Sequence, residues 1–494
     1  MHLPCLARPA RSPPPASRLA ALPARLPARL PAGLLAHLLA RLLARLLAGA
    51  LAGLLAGVPA AAAPAAAGAP RWVTAWEAAP ESVPAGPGVP AYRRPPACGG
   101  RTVRLVMLPE LSGRALRLRI SNRWGKRPLR IGAATVAEVA AGAALRPGSL
   151  QPVLFDHLRS VVVPPHQAVW SDPLVRAVHA GHLLAVSLYV ASATAARTWH
   201  IVAGQVQFLS SPGNRTADAS AAGFGGRLSS YLWLDRVDVE PARPAAALVA
   251  IGDSITDGMR STLNAHRSWP QQLAARLRAA GVDDLSVVDS GISGNRLLSD
   301  SGCWGQALRQ RFARDALGLS GVHAAIVLIG INDIDFGYTP ARAGLDCDAP
   351  HLRVRAAQLE QALLGLARQA RLAGVRLYAA TLPPADLPPQ REALRQRLNA
   401  WIRGSRAFAG VVDFDAVLRD PADPTRMLPR LDSGDHLHPG DSGYAVMARA
   451  AWPVALEVAG RSPSSRLSSS SHLRASASRA SSTGASCSPR RVRP

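Results

Sequence analysis

The sequence predicts an α/β protein whose parallel sheet is covered on both faces by helices, preceded by an all-β, sandwich-like domain. Three observations carry this. Residues 71–240 hold short β-like runs between turn residues, with little helical periodicity. Pro241-Ala242-Arg243-Pro244 then interrupts the chain. Beyond it, apolar runs of strand length alternate with amphipathic stretches of helical length, as expected of strands buried on both faces.

Taken in order, residues 1–70 read as a signal peptide within a low-complexity Ala/Leu/Arg/Pro segment. Arg41 and Arg45 precede the uncharged run Leu46 to Val58, and Ala60-Ala61-Ala62-Ala63 offers small cleavage positions. That basic, apolar, small-residue order marks export, so a secreted or periplasmic location is expected. The apolar run is short for a bilayer span, and no other segment is long and apolar enough. No membrane span is therefore expected in the mature protein.

Residues 71–240 are read as a β-sandwich-like accessory domain. Thr102 to Val106, Ala115 to Ile120, Ser160 to Val163 and Leu183 to Val190 are its clearest strands. In the second, Leu and Arg alternate with the period of a half-exposed strand.

Residues 245–460 are read as the catalytic domain. Strands are expected at Ala246 to Ile251, Leu285 to Asp289, Ala324 to Ile329, Val375 to Ala380 and Val411 to Phe414. Helices are expected at Trp269 to Ala280, Trp304 to Leu317, Leu352 to Leu372, Gln390 to Arg403 and Ser442 to Ala459. Residues 461–494 are Ser/Arg-rich with almost nothing to bury, and a disordered tail is expected.

The formal charge is +25, and Lys126 is the only lysine among 57 basic residues. Such use of Arg, with abundant Ala, Gly and Pro, reads as a GC-rich coding bias. More than half of the excess lies in the two terminal segments, and no stretch interleaves basic and aromatic residues. A specific nucleic-acid partner is not expected. Of the five cysteines, Cys303 and Cys347 flank the middle of the catalytic domain and form a candidate disulfide, whereas Cys98 has no evident partner. No Cys-x-x-Cys or His/Cys cluster suggests zinc, so neither a metal nor another cofactor is expected.

The chemistry-bearing residues follow the strands. Ser254, in Gly252-Asp253-Ser254, follows the first strand; Gly291-Ile292-Ser293-Gly294-Asn295 follows the second; Gly330-Ile331-Asn332-Asp333 follows the third. Asp435 and His438 lie in the loop before the last helix. Ligands of parallel sheets bind at the carboxyl ends of strands, so these loops can build one site. A serine hydroxyl needs a base, which His438 can be, and Asp435 can orient that ring. The N–H groups of Ser254 and Gly294 and the side-chain amide of Asn332 are the candidate oxyanion donors.

This ordered set resembles the GDSL, or SGNH, hydrolase family, matching it at Ser254, Gly294, Asn332 and His438, with Asp435 three residues before the histidine. The resemblance covers about residues 245–460. It implies a flavodoxin-like three-layer fold and metal-free ester hydrolysis. Trp72-Val73-Thr74-Ala75-Trp76 and Thr198-Trp199-His200 more loosely resemble exported two-domain members. Two departures stand out: Ile255 replaces the motif's Leu, and Asp289 stands where relatives often have Asn.

Rival readings attach to most of these residues. Ser254 could serve only as a helix cap, Gly294 only as a left-handed turn residue, and Asn332 only as a loop brace. Gly440-Asp441-Ser442-Gly443 repeats the nucleophile motif and hints at a protease, but it follows no strand. Asp441 or Ser442 is expected to cap the last helix. His436 rivals His438 but should face elsewhere. Asp253, Asp257 and Asp333 are read as loop braces, and His200 as a packed histidine or the wall of a cleft.

The expected function is an exported serine esterase acting on a small-molecule or glycan ester, with a short acyl group such as a carbohydrate O-acetyl. A lipase or thioesterase of the same fold is the alternative within the class. A non-catalytic glycan- or surface-binding protein is the alternative outside it. Acyl length, the alcohol moiety, the role of the β-domain and the oligomeric state are not encoded legibly.

Overall fold

Leu234, Val237 and Val239 give Leu234–Glu240 its apolar side, with a register shift between Leu234 and Arg236, and the strand pairs on both sides, with Val73–Glu77 and with Gly113–Ser121, all antiparallel. The computed structural model describes residues 72–461 except 86–87 and 192–194. The segment read as an export signal, the Ser/Arg-rich tail, Cys5 and Cys487 lie outside the described residues. In Gly113–Ser121, Leu116, Leu118 and Ile120 are buried while Arg117 and Arg119 between them are half-exposed, the predicted alternation. A second antiparallel sheet runs through Gln207–Pro212, Arg101–Met107, Leu184–Val190 and Leu129–Ala141. Its Val103, Leu105 and Val186 share one hydrophobic cluster with the inward leucines of the first sheet. A third, short sheet joins Glu81–Ser82, Thr198–His200 and Tyr231–Leu232.

The parallel sheet comprises β1 (Ala246–Gly252), β2 (Leu285–Gly291), β3 (Val322–Leu328), β4 (Arg376–Ala380) and β5 (Gly410–Val412), in spatial order 2-1-3-4-5. That is the flavodoxin-like order, with its switch point between β1 and β3. The register aligns Gly252 with Gly291 on one side and with Leu328 on the other. The three strands therefore end together, and their loops leave from one edge. A Cβ at Gly252 would lie 2.3 Å from the Leu328 carbonyl oxygen, so only glycine permits this close pairing.

The helices are α1 (Ser254–Asp257), α2 (Trp269–Ala279), α3 (Leu308–Phe312), α4 (Ile331–Asp335), α5 (Ala356–Leu372), α6 (Pro389–Gly404), α7 (Phe414–Leu418) and α8 (Asp441–Val458). Ser268 and Gln271 form a capping box at the start of α2, with Pro270 in its first turn, where a missing N–H costs nothing. No helix among the described residues is long and apolar enough to cross a membrane.

Two predicted helices start later than their periodicity suggests. The helix expected from Trp304 begins at Leu308 and passes into a π-helical turn, Ala313–Leu317. The Asn295 side chain takes the carbonyls of Trp304 and Gln306, and Asp300 takes the Ala307 N–H. These bonds hold residues 304–307 out of the helix. The helix expected from Leu352 begins at Ala356, where Gln358 accepts from the Arg355 N–H.

The β-region meets the parallel sheet through hydrogen bonds as well as apolar packing. Thr74 N–H donates to the Ser320 carbonyl at 2.9 Å, and Ser320 Oγ donates to Asp238 at 2.7 Å. Cys303 and Cys347 form a disulfide, and Cys98 is buried and free.

Candidate active site

Ser254 is the first residue of α1, directly after β1. Asp253 is the N-cap: its side chain accepts from Ile255 N–H at 3.1 Å, and its carbonyl from the N–H groups of Thr256 and Asp257. Ser254 N–H, in the first helical position, has no intrahelical acceptor. The cap role is thus taken by Asp253, and the Ser254 hydroxyl is left for another partner.

That partner is His438. Ser254 Oγ lies 2.8 Å from His438 Nε2, and His438 Nδ1 lies 2.8 Å from Asp435 Oδ2. With Nδ1 facing a carboxylate, the neutral ring keeps its proton there and presents the Nε2 lone pair to the serine. Asp435 Oδ1 also accepts from the N–H groups of Leu437 and His438. The three-residue spacing thus lets one carboxylate fold the loop and aim the ring.

Burial lowers the His438 pKa below its usual 6.5, and Arg260 adds to this, while Asp435 opposes it. The Asp435 carboxyl is itself held well below the carboxylate range. Its burial is outweighed by the bonds from His438 and Leu437. A neutral base beside an ionised carboxylate is the state that nucleophilic attack requires. Arg260, whose side chain is 59% exposed, donates Nε to Asp435 Oδ2 at 2.9 Å.

Two further loops arrive at this edge. Gly294 has φ +75°, and a Cβ there would lie 2.3 Å from the Trp304 ring. Backbone strain and contact both demand glycine, whatever its N–H does. Asn332 donates one amide hydrogen to the Asn295 carbonyl at 2.9 Å, which ties it to the Gly294 turn and leaves the other hydrogen available. Asp333 accepts from Leu297 N–H and Leu298 N–H, and burial pushes its carboxyl up to about 6.

The rivals have other partners. His436 pairs with Asp432 at 2.8 Å, in a left-handed conformation, and is exposed. Ser442 Oγ donates to the Arg430 carbonyl and has no histidine partner. The expected cap by Asp441 or Ser442 is not what forms. Asp441 is the first helical residue and reaches across to Thr262 N–H and Oγ, while Gly440 caps without a side chain.

The sequence missed three contributors. Arg311, fully buried on α3, donates to the Gly252 carbonyl, the Ser290 carbonyl and Asn295 Oδ1. Asn295 thereby links Arg311, Trp304 and Asn332. Arg260 completes the surroundings of Asp435. A cavity of about 930 Å³ opens beside Asn332 and is lined by Ser299, Gln310, Gln358 and Gln361 among others. Among the described residues no group of three His, Cys, Asp or Glu side chains is placed to hold a metal ion.

Residues 250–446 match the model of the GDSL-like lipase/acylhydrolase family. No curated protein matches the sequence. Among solved structures, the chain is similar to a catalytic mutant of Axe2, an acetylxylan esterase from Geobacillus stearothermophilus. The identity is 22% and the TM-score 0.33, over 44% of this chain and 95% of that one. It is also similar to a GDSL-like lipase from Bacteroides thetaiotaomicron, at 18% identity and a TM-score of 0.31, over 43% and 88% of the two chains.

Proposed function

Given that residues 250–446 form a domain of the GDSL-like lipase/acylhydrolase family, we propose that this chain is an exported serine esterase using Ser254, His438 and Asp435. The observation that carries the reading is the continuous line Ser254 Oγ, His438 Nε2, His438 Nδ1, Asp435 Oδ2, with both contacts at 2.8 Å.

In this reading Ser254 attacks the ester carbonyl as His438 takes its proton, and Asp435 steadies the imidazolium. Ser254 N–H, Gly294 N–H and the free hydrogen of Asn332 receive the developing oxyanion. His438 returns the proton to the departing alcohol. Water, activated by the same histidine, then releases the acid from the acyl-serine.

The substrate proposed is a short acyl ester of a polyhydroxylated alcohol, such as a carbohydrate O-acetyl group. Support comes from Ser299, Gln310, Gln358 and Gln361 along the cavity beside Asn332, whose side chains can hydrogen-bond hydroxyl groups, while Leu298, Leu352, Val354 and Leu366 give the same cavity an apolar wall. Export is supported by the basic, apolar, small-residue order of residues 41–63 and by the Cys303–Cys347 disulfide, a bond that persists in oxidising compartments.

An acetyl-to-palmitoyl p-nitrophenyl ester series tests acyl length, with activity expected to peak at the shortest chains; a maximum at palmitoyl would replace the esterase by a lipase. Ser254→Ala should abolish turnover by roughly 10⁴-fold or more without unfolding the protein. Undiminished turnover, or fluorophosphonate labelling at Ser442, would overturn the mechanism. Activity should be unchanged in EDTA. Sequencing the N-terminus of protein recovered outside the cytoplasm tests export.

A further inference from the structure

We propose that His200, supplied by the β-region, is a positioning residue for the oxyanion loop, acting through Asp257 on Ser293 and so on the Gly294 N–H. The proposal rests on the esterase reading for its functional meaning and on geometry for its path.

The path is short and enclosed. His200 ends the strand Thr198–His200, which pairs with Glu81–Ser82 and Tyr231–Leu232. Its Nε2 lies 3.1 Å from Asp257 Oδ1, with side-chain exposures of 7% and 5%. Asp257 closes α1, the single turn that Ser254 begins. Its other oxygen, Oδ2, accepts from Ser293 N–H at 2.9 Å and from Ser293 Oγ at 2.6 Å. Ser293 precedes Gly294. One carboxylate therefore joins the β-region, the nucleophile turn and the oxyanion loop.

Every polar neighbour of the His200 ring is an acceptor. Nδ1 faces the Ala79 carbonyl at 3.0 Å, and Nε2 faces the Val202 carbonyl at 2.9 Å as well as Asp257. A neutral ring has one N–H and cannot serve both sides; an imidazolium donates from both. Burial alone would lower the pKa, but Asp257, Glu81 and the Ala79 carbonyl outweigh it and raise it to about 10. The charged ring holds Asp257 Oδ1 from the β-region, at 3.1 Å. Asp257 then has one oxygen for His200 and one for Ser293. Without His200 the carboxylate is held by Ser293 alone, and the Ser293–Gly294 turn loses its anchor to the β-region.

His200 touches no reacting atom, so its loss should change the height of the barrier rather than substrate affinity. In the full chain, His200→Phe should lower kcat for p-nitrophenyl acetate about tenfold with KM within about twofold, the signature of lost transition-state stabilisation. Hydrogen exchange at the Ser293 amide should accelerate at least about tenfold while β1 and β3 keep their protection. The double variant His200→Phe/Asp257→Asn should be no slower than Asp257→Asn alone, because both changes cut one path. Multiplying effects, an unchanged Ser293 exchange rate, or equal acceleration throughout the sheet would overturn the proposal. If His200→Phe does not fold, His200→Gln provides the same three readouts. Should the wild type neither turn over the ester nor label at Ser254, the esterase reading fails, while the exchange measurement still decides the role of His200.

Discussion

Arg311 donates through Nη2 to the Gly252 carbonyl at 2.8 Å, two residues before Ser254. The same guanidinium reaches the Ser290 carbonyl and Asn295 Oδ1, at 3.0 and 2.9 Å. It thus gathers the ends of β1 and β2 and the residue that holds Asn332. The Gly252 carbonyl also accepts from Ile292 N–H at 3.1 Å; a carbonyl oxygen has room for a second donor, and a planar fork of five donors suits three acceptors in fixed directions.

Removal of Arg311 strips Asn295 Oδ1 of its donor and takes one donor each from the Ser290 and Gly252 carbonyls, the latter keeping Ile292 N–H. Arg311→Leu is expected to cost roughly 3 kcal/mol of stability, the range for a broken buried network. Asp315 keeps its pair with Arg314, which limits the damage. Arg311→Lys keeps the charge but not the fork, and should also lose turnover. Urea unfolding alongside kcat for p-nitrophenyl acetate checks both; wild-type stability in Arg311→Leu would refute the clamp.

The pH profile should have one acid limb. His438 must be neutral to accept the serine proton, and burial holds its pKa below 6.5. Activity should therefore be full at neutral pH and fall only as pH drops through that lowered value. Asp435 stays ionised across this range. Arg260 helps to lower the His438 pKa and also occupies Asp435 Oδ2. Arg260→Gln removes both effects and should move the limb to higher pH. Because Arg260 is largely exposed, salt should shrink the shift. Profiles of kcat/KM at low and high ionic strength decide it, and a limb that stays put or moves to lower pH counts against the assignment.

Much of this site was legible because its residues follow apolar runs whose ends are easy to see. β1 through β5 begin and end within about two residues of their apolar stretches, since a strand buried on both faces has no polar positions to blur its edges. Ser254, Asn332 and the Asp435/His438 pair were readable from order and spacing. Arg311 was not. In a chain whose basic residues are almost all Arg, one more on a helix carries no signal, and burial is a property of the fold. Arg260 and the His200–Asp257 contact were hidden for a different reason: their partners are 175 and 57 residues away. The late starts of α3 and α5 escaped because side chains of Asn295, Asp300 and Gln358 compete for backbone groups that periodicity counts as helical.

The Cys303–Cys347 disulfide closes a separation of 44 residues around the wall behind Gly294. The Arg93 guanidinium donates to the Cys303 carbonyl at 3.1 Å and lies over the Trp304 ring, the ring against which Gly294 packs. Chain entropy for such a loop is worth about 4 kcal/mol at 25 °C. Cys303→Ser/Cys347→Ser should lose about 2–4 kcal/mol, and reduction of the wild type should reproduce the loss. Calorimetry with and without reductant tests this; equal midpoints would mean that the staple adds nothing.

Asp289 offers a test in which the sign matters. It accepts from Ser268 Oγ at 3.0 Å and from Gly291 N–H at 3.1 Å. Burial first, and the Asp257 charge second, push its carboxyl up to about 7, against roughly 3.9 in an unfolded chain. Between those values the folded protein holds a proton that the unfolded chain has released. Stability contributed by the protonated form is therefore lost as pH rises through about 4 to 7. Asparagine cannot ionise and can still accept from Gly291 N–H, while its amide can donate to the Ser268 hydroxyl. Asp289→Asn should thus match the wild type near pH 4, gain on it steadily, and level off above pH 7 at about 1 kcal/mol or more. Partial solvent access at Asp289 keeps the gain modest. Urea unfolding at pH 4.5, 6 and 8 measures it. A difference independent of pH, or one favouring aspartate at pH 8, would show that the carboxylate is stabilised by its neighbours instead of opposed by them.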